Sequence, residues 1–139
     1  MLSATAPRVW SLLTNWERQG DWMPDVAWIR VLGTEREAGA RLAVRTRVFG
    51  VPAATDLVTV TGWEPPRRLS VAHTGIVQGE GDWLLEPIPG QPDSTVFTWT
   101  ERITMRPAVL GELAIRLYGP WQRRMLRASL ANLRRLVSA

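Results

Sequence analysis

Apolar and polar positions change rhythm twice along this chain. Residues 5–15 carry a short helical pattern, residues 26–104 alternate with a period of two between turn signals, and residues 107–139 return to helical spacing. A run of antiparallel strands closed by one helix points to a curved sheet gripping that helix. If sheet and helix are held apart rather than packed tight, the space between them is a pocket, and the function is expected there.

The first helix is capped by Thr5, has Pro7 in its first turn, and shows Val9, Trp10, Leu12 and Leu13 as its apolar face. A second short helix over 16–23 ends at Met23-Pro24, because the residue before proline avoids helical geometry. The first strand is Val26–Leu32, closed by Gly33. Residues 40–49 place Leu42, Val44, Thr46 and Val48 on one face, and Phe49-Gly50-Val51-Pro52 makes the turn. In residues 54–63 the inward face is ambiguous, with Val58 and Val60 opposing Thr55, Leu57, Thr59 and Thr61. Glu64-Pro65-Pro66-Arg67 interrupts the sheet. Leu69, Val71 and His73 then share a face up to Gly75. The strand over 77–86 contains Gly79 and Gly81, which suggest a bend or bulge. Residues 87–93 read as a loop, and 94–104 as the last strand, with Phe97, Trp99, Glu101 and Ile103 on one face.

In the C-terminal helix Leu126, Leu130, Leu133 and Val137 form the apolar stripe, bordered by Met125, Ser129 and Leu136. Arg123, Arg124, Arg127, Arg134 and Arg135 gather opposite. Gly119-Pro120 is expected to kink or break the run.

Composition narrows the function classes. The chain has 139 residues, the length of one domain over 1–139, and could bury roughly two thirds of its unfolded surface. It has no stretch of about 18 apolar residues, hence no membrane span, and no secretory leader pattern. The absence of cysteine excludes disulfides and thiolate chemistry. The setting expected is cytoplasmic. A sequence pI of 11.1 suggests nucleic acid, but the net charge is only +4. All 17 basic residues are arginine, so few groups titrate in the alkaline range, and no specific nucleic-acid partner is expected. Eight tryptophans favour a roomy aromatic interior. The regular spacing of Trp10, Trp16, Trp22 and Trp28 recurs nowhere else and reads as chance.

Three stretches carry a family likeness: Val9-Trp10-Ser11-Leu12-Leu13-Thr14-Asn15-Trp16 running to Trp22-Met23-Pro24; Trp63-Glu64-Pro65-Pro66-Arg67-Arg68-Leu69; and Ser94-Thr95-Val96-Phe97-Thr98-Trp99-Thr100-Glu101. With them the chain resembles the START/Bet v 1-like (SRPBCC) superfamily, near its polyketide cyclase/dehydrase and lipid-transport group. The resemblance implies an α+β helix-grip fold: a curved antiparallel sheet around a long C-terminal helix, with two short helices near the N-terminus. It also implies a cavity for a hydrophobic ligand such as a lipid, polyketide or quinone. Such proteins begin with a strand before the first helix. Here only Met1-Leu2-Ser3-Ala4-Thr5 precede it, so either that strand is reduced to a stub or the sequence starts too late, and a missing strand would leave a sheet edge open to association or dimerisation.

The residues expected to line a ligand cavity are Val44, Val58, Val71, His73, Trp83, Phe97, Trp99, Glu101, Met125 and Ser129. Glu101 and His73 are the candidates for general acid/base work, against the plainer readings of a paired carboxylate and a structural histidine. A lone histidine without cysteine supports no metal site, and no cofactor is expected. No serine sits in a nucleophile elbow and no glycine-rich phosphate loop follows a strand, which argues against acyl-enzyme and nucleotide chemistry. The reading is a binder of a hydrophobic small molecule, monomeric or homodimeric. The alternatives are a polyketide cyclase/aromatase-type enzyme using Glu101 or His73, or an interaction module using the arginine face, which otherwise reads as a solvated surface.

Overall fold

A computed structural model describes the backbone of residues 1–75, 77–105 and 108–138, with the side chains of all of these except 105 and 108–115. Residues 107 and 139, the ends of the helical pattern, lie outside the described residues.

The order of elements is α1 (Ala6–Leu13), a 3-10 helix (Trp16–Asp21), β1 (Val26–Leu32), β2 (Arg41–Val48), β3 (Val51–Glu64), β4 (Arg68–Thr74), β5 (Val77–Ile88), β6 (Gln91–Met105) and α2 (Ala108–Ser138). The strands form one antiparallel sheet in chain order, β1-β2-β3-β4-β5-β6. Every strand neighbours the next in sequence, so short turns suffice to close the ladder.

The caps behave as expected. Thr5 Oγ1 accepts from the Arg8 amide at 3.4 Å, and Val9, Trp10 and Leu13 turn inward. The second helical segment is a 3-10 turn rather than an α-helix, ending ahead of Met23-Pro24. Ahead of α1 the chain makes one isolated antiparallel bridge, between Leu2 and Thr95. Leu2 exchanges two backbone hydrogen bonds with Thr95, at 2.8 and 2.9 Å, and its side chain is only 2% exposed. Beyond Thr95, β6 pairs only with β5 among the described residues.

Three expectations change. Residues 87–93 are not a loop: β5 and β6 run on to a tight turn at Pro89-Gly90. The prolines misled because β4 pairs with β5 only as far as Leu84, so Pro87 lies where its missing N–H is not needed on that side. Gly79 and Gly81 mark no bulge, since the β5–β6 register is unbroken from Val77 to Pro87. Gly79 instead has φ +130°, and a Cβ there would lie 1.9 Å from the Arg102 carbonyl oxygen. The helix, finally, is not broken at Gly119-Pro120, because α2 continues through Pro120. The proline removes one helical hydrogen bond, and the packing of the turns after it carries the cost.

That packing is also shifted. The deepest line on α2 is Met125, Ser129, Leu133 and Val137, while Leu126, Leu130 and Leu136 flank it half-buried. Ser129 belongs in this line because its hydroxyl donates to the Met125 carbonyl at 2.7 Å, which satisfies it within the helix. Asn132 Nδ2 donates to the Trp22 carbonyl at 3.1 Å and ties the helix to the N-terminal segment. All five arginines of the opposite face are exposed.

Candidate functional site

Between the concave face of the sheet and α2 lies a cavity of about 160 Å³. Alternation along the strands decides what faces it. β2 contributes Leu42, Val44 and Thr46; β4 contributes Leu69, Val71 and His73; β6 contributes Trp99, Glu101 and Ile103. On β3 the inward set is Asp56, Val58 and Val60, which resolves the ambiguity in that strand. Val77, Gly81 and Trp83 come from β5, and Tyr118, Gln122, Leu126 and Ser129 from α2. Trp16, Gln19, Met23, Asp25, Val26 and Ile29 complete the wall.

Of the expected cavity residues, Val44, Val58, Val71, His73, Trp83, Trp99, Glu101 and Ser129 therefore border the space. Phe97 and Met125 do not. Phe97 packs edge-on against Trp83 at 6.0 Å, one layer away from the space. Met125 is buried one turn before Ser129 on the same line of α2 and does not border the space.

The aromatic part of the wall is mutually braced. Trp83 and Trp99 meet edge to face at 5.7 Å, and Trp22 packs on both, at 5.9 and 6.0 Å. Such contacts each add about 0.5–1.5 kcal/mol beyond area burial, so these rings are fixed rather than free to fill the hollow.

The polar part was largely missed by sequence reasoning. Glu101 is held from one side by Trp99, whose indole Nε1 donates to Oε1 at 2.8 Å. Its other oxygen, Oε2, stands 3.3 Å from His73 Nε2. The approach is within ion-pair range but misaligned for a hydrogen bond, and Nε2 has no such partner. Gly81 makes room for this carboxylate: a Cβ there would sit 3.1 and 3.2 Å from its two oxygens. Asp56, only 6% exposed, faces the same space over Gly75, where a Cβ would lie 2.2 Å from Oδ1.

Asp25 occupies the turn before β1, positioned by Arg47. The Arg47 amide donates to the Asp25 carbonyl at 2.6 Å, and its guanidinium donates to the carbonyls of Pro24 and Val26 at 3.1 and 3.0 Å. Burial pushes the Asp25 carboxyl above its ordinary range, and the nearby Glu101 adds to the rise, while a backbone hydrogen bond and Arg47 oppose it. Burial likewise pushes the Tyr118 phenol up to about 12, with Asp25 and Asp56 contributing. At neutral pH that phenol stays protonated and can donate. Among the described residues no group of three or more His, Cys, Asp or Glu is arranged to hold a metal ion.

A signal for two of the missed groups was present. Asp56 alternates with Val58 and Val60, and Tyr118, Gln122, Leu126 and Ser129 follow helical spacing across Pro120. Asp25 lies in a turn, where no periodicity marks an inward side chain.

Comparison with known proteins agrees with the architecture. The sequence profile described as "Polyketide cyclase / dehydrase and lipid transport" matches residues 1–138. A START superfamily protein from Mycobacterium smegmatis superposes with TM-score 0.71 at 16% identity, over 97% of this chain and 93% of the other. The Zhui aromatase/cyclase from Streptomyces sp. R1128 gives TM-score 0.72 at 16% identity, over 99% and 88%. A protein from Thermus thermophilus gives 0.71 at 21%, over 98% and 91%. No curated protein sequence matches. At these identities the structural likeness concerns the fold alone.

Proposed function

We propose that this chain, which belongs to the polyketide cyclase / dehydrase and lipid transport family, binds a small, largely apolar molecule between its sheet and α2. The observation that carries this reading is the hollow of about 160 Å³ bounded by Trp16, Trp83, Trp99, Val71 and Leu126. A well-packed interior leaves few voids larger than a water. An apolar cavity of about 150 Å³ is large enough for a benzene ring. The ligand, or the part of it that enters, is therefore one ring or a short branched chain in size. A lipid, polyketide or quinone-like molecule would present such a part. The reading carries with it a cytoplasmic setting and a monomer or homodimer, to be checked by fractionation and light scattering.

Native mass spectrometry of freshly purified protein tests this directly. A co-purified mass that dissociates on mild activation is expected, together with thermal stabilisation when that compound is added back. The cavity-filling substitution Ser129→Phe is expected to abolish both. Retention of the compound by a folded Ser129→Phe protein would place it elsewhere.

A second reading is favoured by one specific observation, the approach of His73 Nε2 to Glu101 Oε2 at 3.3 Å in the cavity wall. In a cyclase-type reaction Nε2 would take a proton from a carbon flanked by carbonyls. The enolate carbon would attack a second carbonyl of the same ligand, forming the C–C bond. The resulting alkoxide would recover the proton from the imidazolium, and loss of water would complete dehydration. Glu101 would stabilise the imidazolium, and Trp99 would hold Glu101 in place. His73→Asn and Glu101→Gln are then expected to abolish turnover of a poly-β-keto test substrate while leaving its binding nearly unchanged. Turnover that survives both substitutions would leave binding alone as the function.

A further inference from the structure

We propose that this protein docks on anionic lipid bilayers through the tip of the β2–β3 hairpin and the outer face of α2, a surface that the cavity reading does not use. Phe49 and Val51 at the tip are 59% and 63% exposed, and Leu117 on α2 is 67% exposed. The three belong to one patch. Phe49 rests on the Trp121 ring at 5.3 Å, and Leu117 lies one helical turn before Trp121 on the same side of α2. Val51 pairs with Val48 across the turn, next to Phe49.

The tip breaks a local rule. Val48-Phe49-Gly50-Val51 is a two-residue hairpin whose central residues have φ of +50° and +84°. Asparagine, aspartate or glycine takes such a position at little cost, whereas a bulky aromatic does not. An exposed phenylalanine in that backbone works against folding twice, and outliers of this kind persist where something outside the fold uses them. Behind the tip Arg45 stiffens the hairpin, its guanidinium donating to Thr55 Oγ1 at 3.0 Å and to the Pro52 carbonyl at 3.3 Å.

The charges beside the patch select the partner. From Trp121 to Ser138 the sequence contains no aspartate or glutamate. Arg123, Arg124, Arg127, Arg134 and Arg135 are exposed, and among the described residues none of them makes an ion pair. Arg123 and Arg135 reach only neutral groups of α2 itself, the Gly119 carbonyl and Asn132 Oδ1. Arg124 lies two turns along from Leu117 on the same line, so the outer face runs from an apolar end at the hairpin into a cationic stretch. A bilayer surface answers both parts, with its acyl boundary for phenylalanine, leucine and valine and its phosphates for guanidinium groups. RNA would engage the arginines but leave Leu117 and Val51 in water, since neither can stack on a base or hydrogen-bond to one. Tyr118 and Gln122, which border the cavity, flank Trp121, so a docked protein sets that end of the hollow beside the lipid.

Co-sedimentation of the whole protein with vesicles tests this. Phosphatidylcholine vesicles containing one-third phosphatidylglycerol are expected to bind it about tenfold or more tightly than pure phosphatidylcholine at low salt. Salt at about 1 M, where charges are screened beyond about 3 Å, is expected to remove that preference. Phe49→Gly suits the turn and keeps the fold, and it is expected to weaken binding about tenfold. Arg124→Gln combined with Arg127→Gln is expected to weaken it about as much and to flatten the salt dependence. Ser129→Phe, which fills the cavity, is expected to leave vesicle binding unchanged. Equal binding to both vesicle types, binding to neither, or full binding by Phe49→Gly would overturn the docking surface and leave the cavity reading standing. Loss of binding by a folded Ser129→Phe protein would mean lipid uptake into the hollow rather than docking, and would overturn it too. A protein that ignores vesicles and binds duplex RNA would assign the arginine face to nucleic acid, and the proposal would fall.

Discussion

At one end of the sheet Trp10 meets Trp63 at 5.0 Å with Leu85 buried nearby in the core, and Trp16, which also borders the cavity, reaches the Trp63 ring at 6.4 Å. At the other end the inward positions of the same strands hold Asp56, His73, Gly81 and Glu101, with Tyr118 across from them on α2. Both ends obey one alternation. They differ in the inward side chains: apolar at the first, while at the second glycine and ionisable groups stand among the tryptophans. The packed end supplies stability, and the hollow end spends some of it on buried charge. Along α2 the same division separates Leu133 and Val137, which are buried, from Tyr118 and Gln122, which border open space.

The sharpest way to break this comparison is to truncate one side chain at each end. Trp10→Ala, which removes the ring packed on Trp63 at the packed end, is expected to cost about 3–5 kcal/mol in urea denaturation. Val71→Ala, which only enlarges an existing hollow, is expected to cost about 1 kcal/mol. Equal costs would erase the distinction between the ends. Next in size is Gly79→Ala. A methyl group there meets the Arg102 carbonyl in a backbone conformation that L-residues avoid, so a loss of about 1–3 kcal/mol is expected from thermal melts.

The finest prediction concerns sign rather than size. The folded-state value of Asp25 is raised above its unfolded one, chiefly by burial and then by Glu101. The native state then holds a proton that the unfolded chain has released. Stability contributed by that proton is present at acid pH and is lost as pH rises from the ordinary Asp range through the raised value. The difference in stability between Asp25→Asn and the unaltered protein should therefore shift in favour of the variant over that window and stay flat above it. Denaturation midpoints of the two proteins across acid to neutral pH check this. A difference moving the opposite way would mean that Arg47 and the backbone hydrogen bond dominate at Asp25.

Much of the fold was legible because alternation and helical spacing report burial directly. Val44, Val58, Val71, Trp83 and Trp99 turn toward α2 for that reason alone. The polar half of the site was harder to see. Period-two reasoning on β3 followed the valines and ignored Asp56, which shares their face. On α2 the stripe was read from the leucines after Trp121, which left out Tyr118 and Gln122 to either side of Pro120. Asp25 gave no periodic signal, since Arg47 places it through contacts made across strands. Phe97 erred in the other direction: it faces inward as expected, but Trp83 and Trp99 cover it.

The central physical claim is that the space among Trp83, Trp99, Val71 and Leu126 is a true hollow, able to admit an apolar guest. Crystals pressurised with xenon test it most directly, because xenon enters enclosed apolar voids and scatters strongly. A xenon peak in contact with those side chains is expected, displaced when Ser129 is replaced by Phe. Continuous side-chain density filling the same volume, with no xenon there, would contradict the claim.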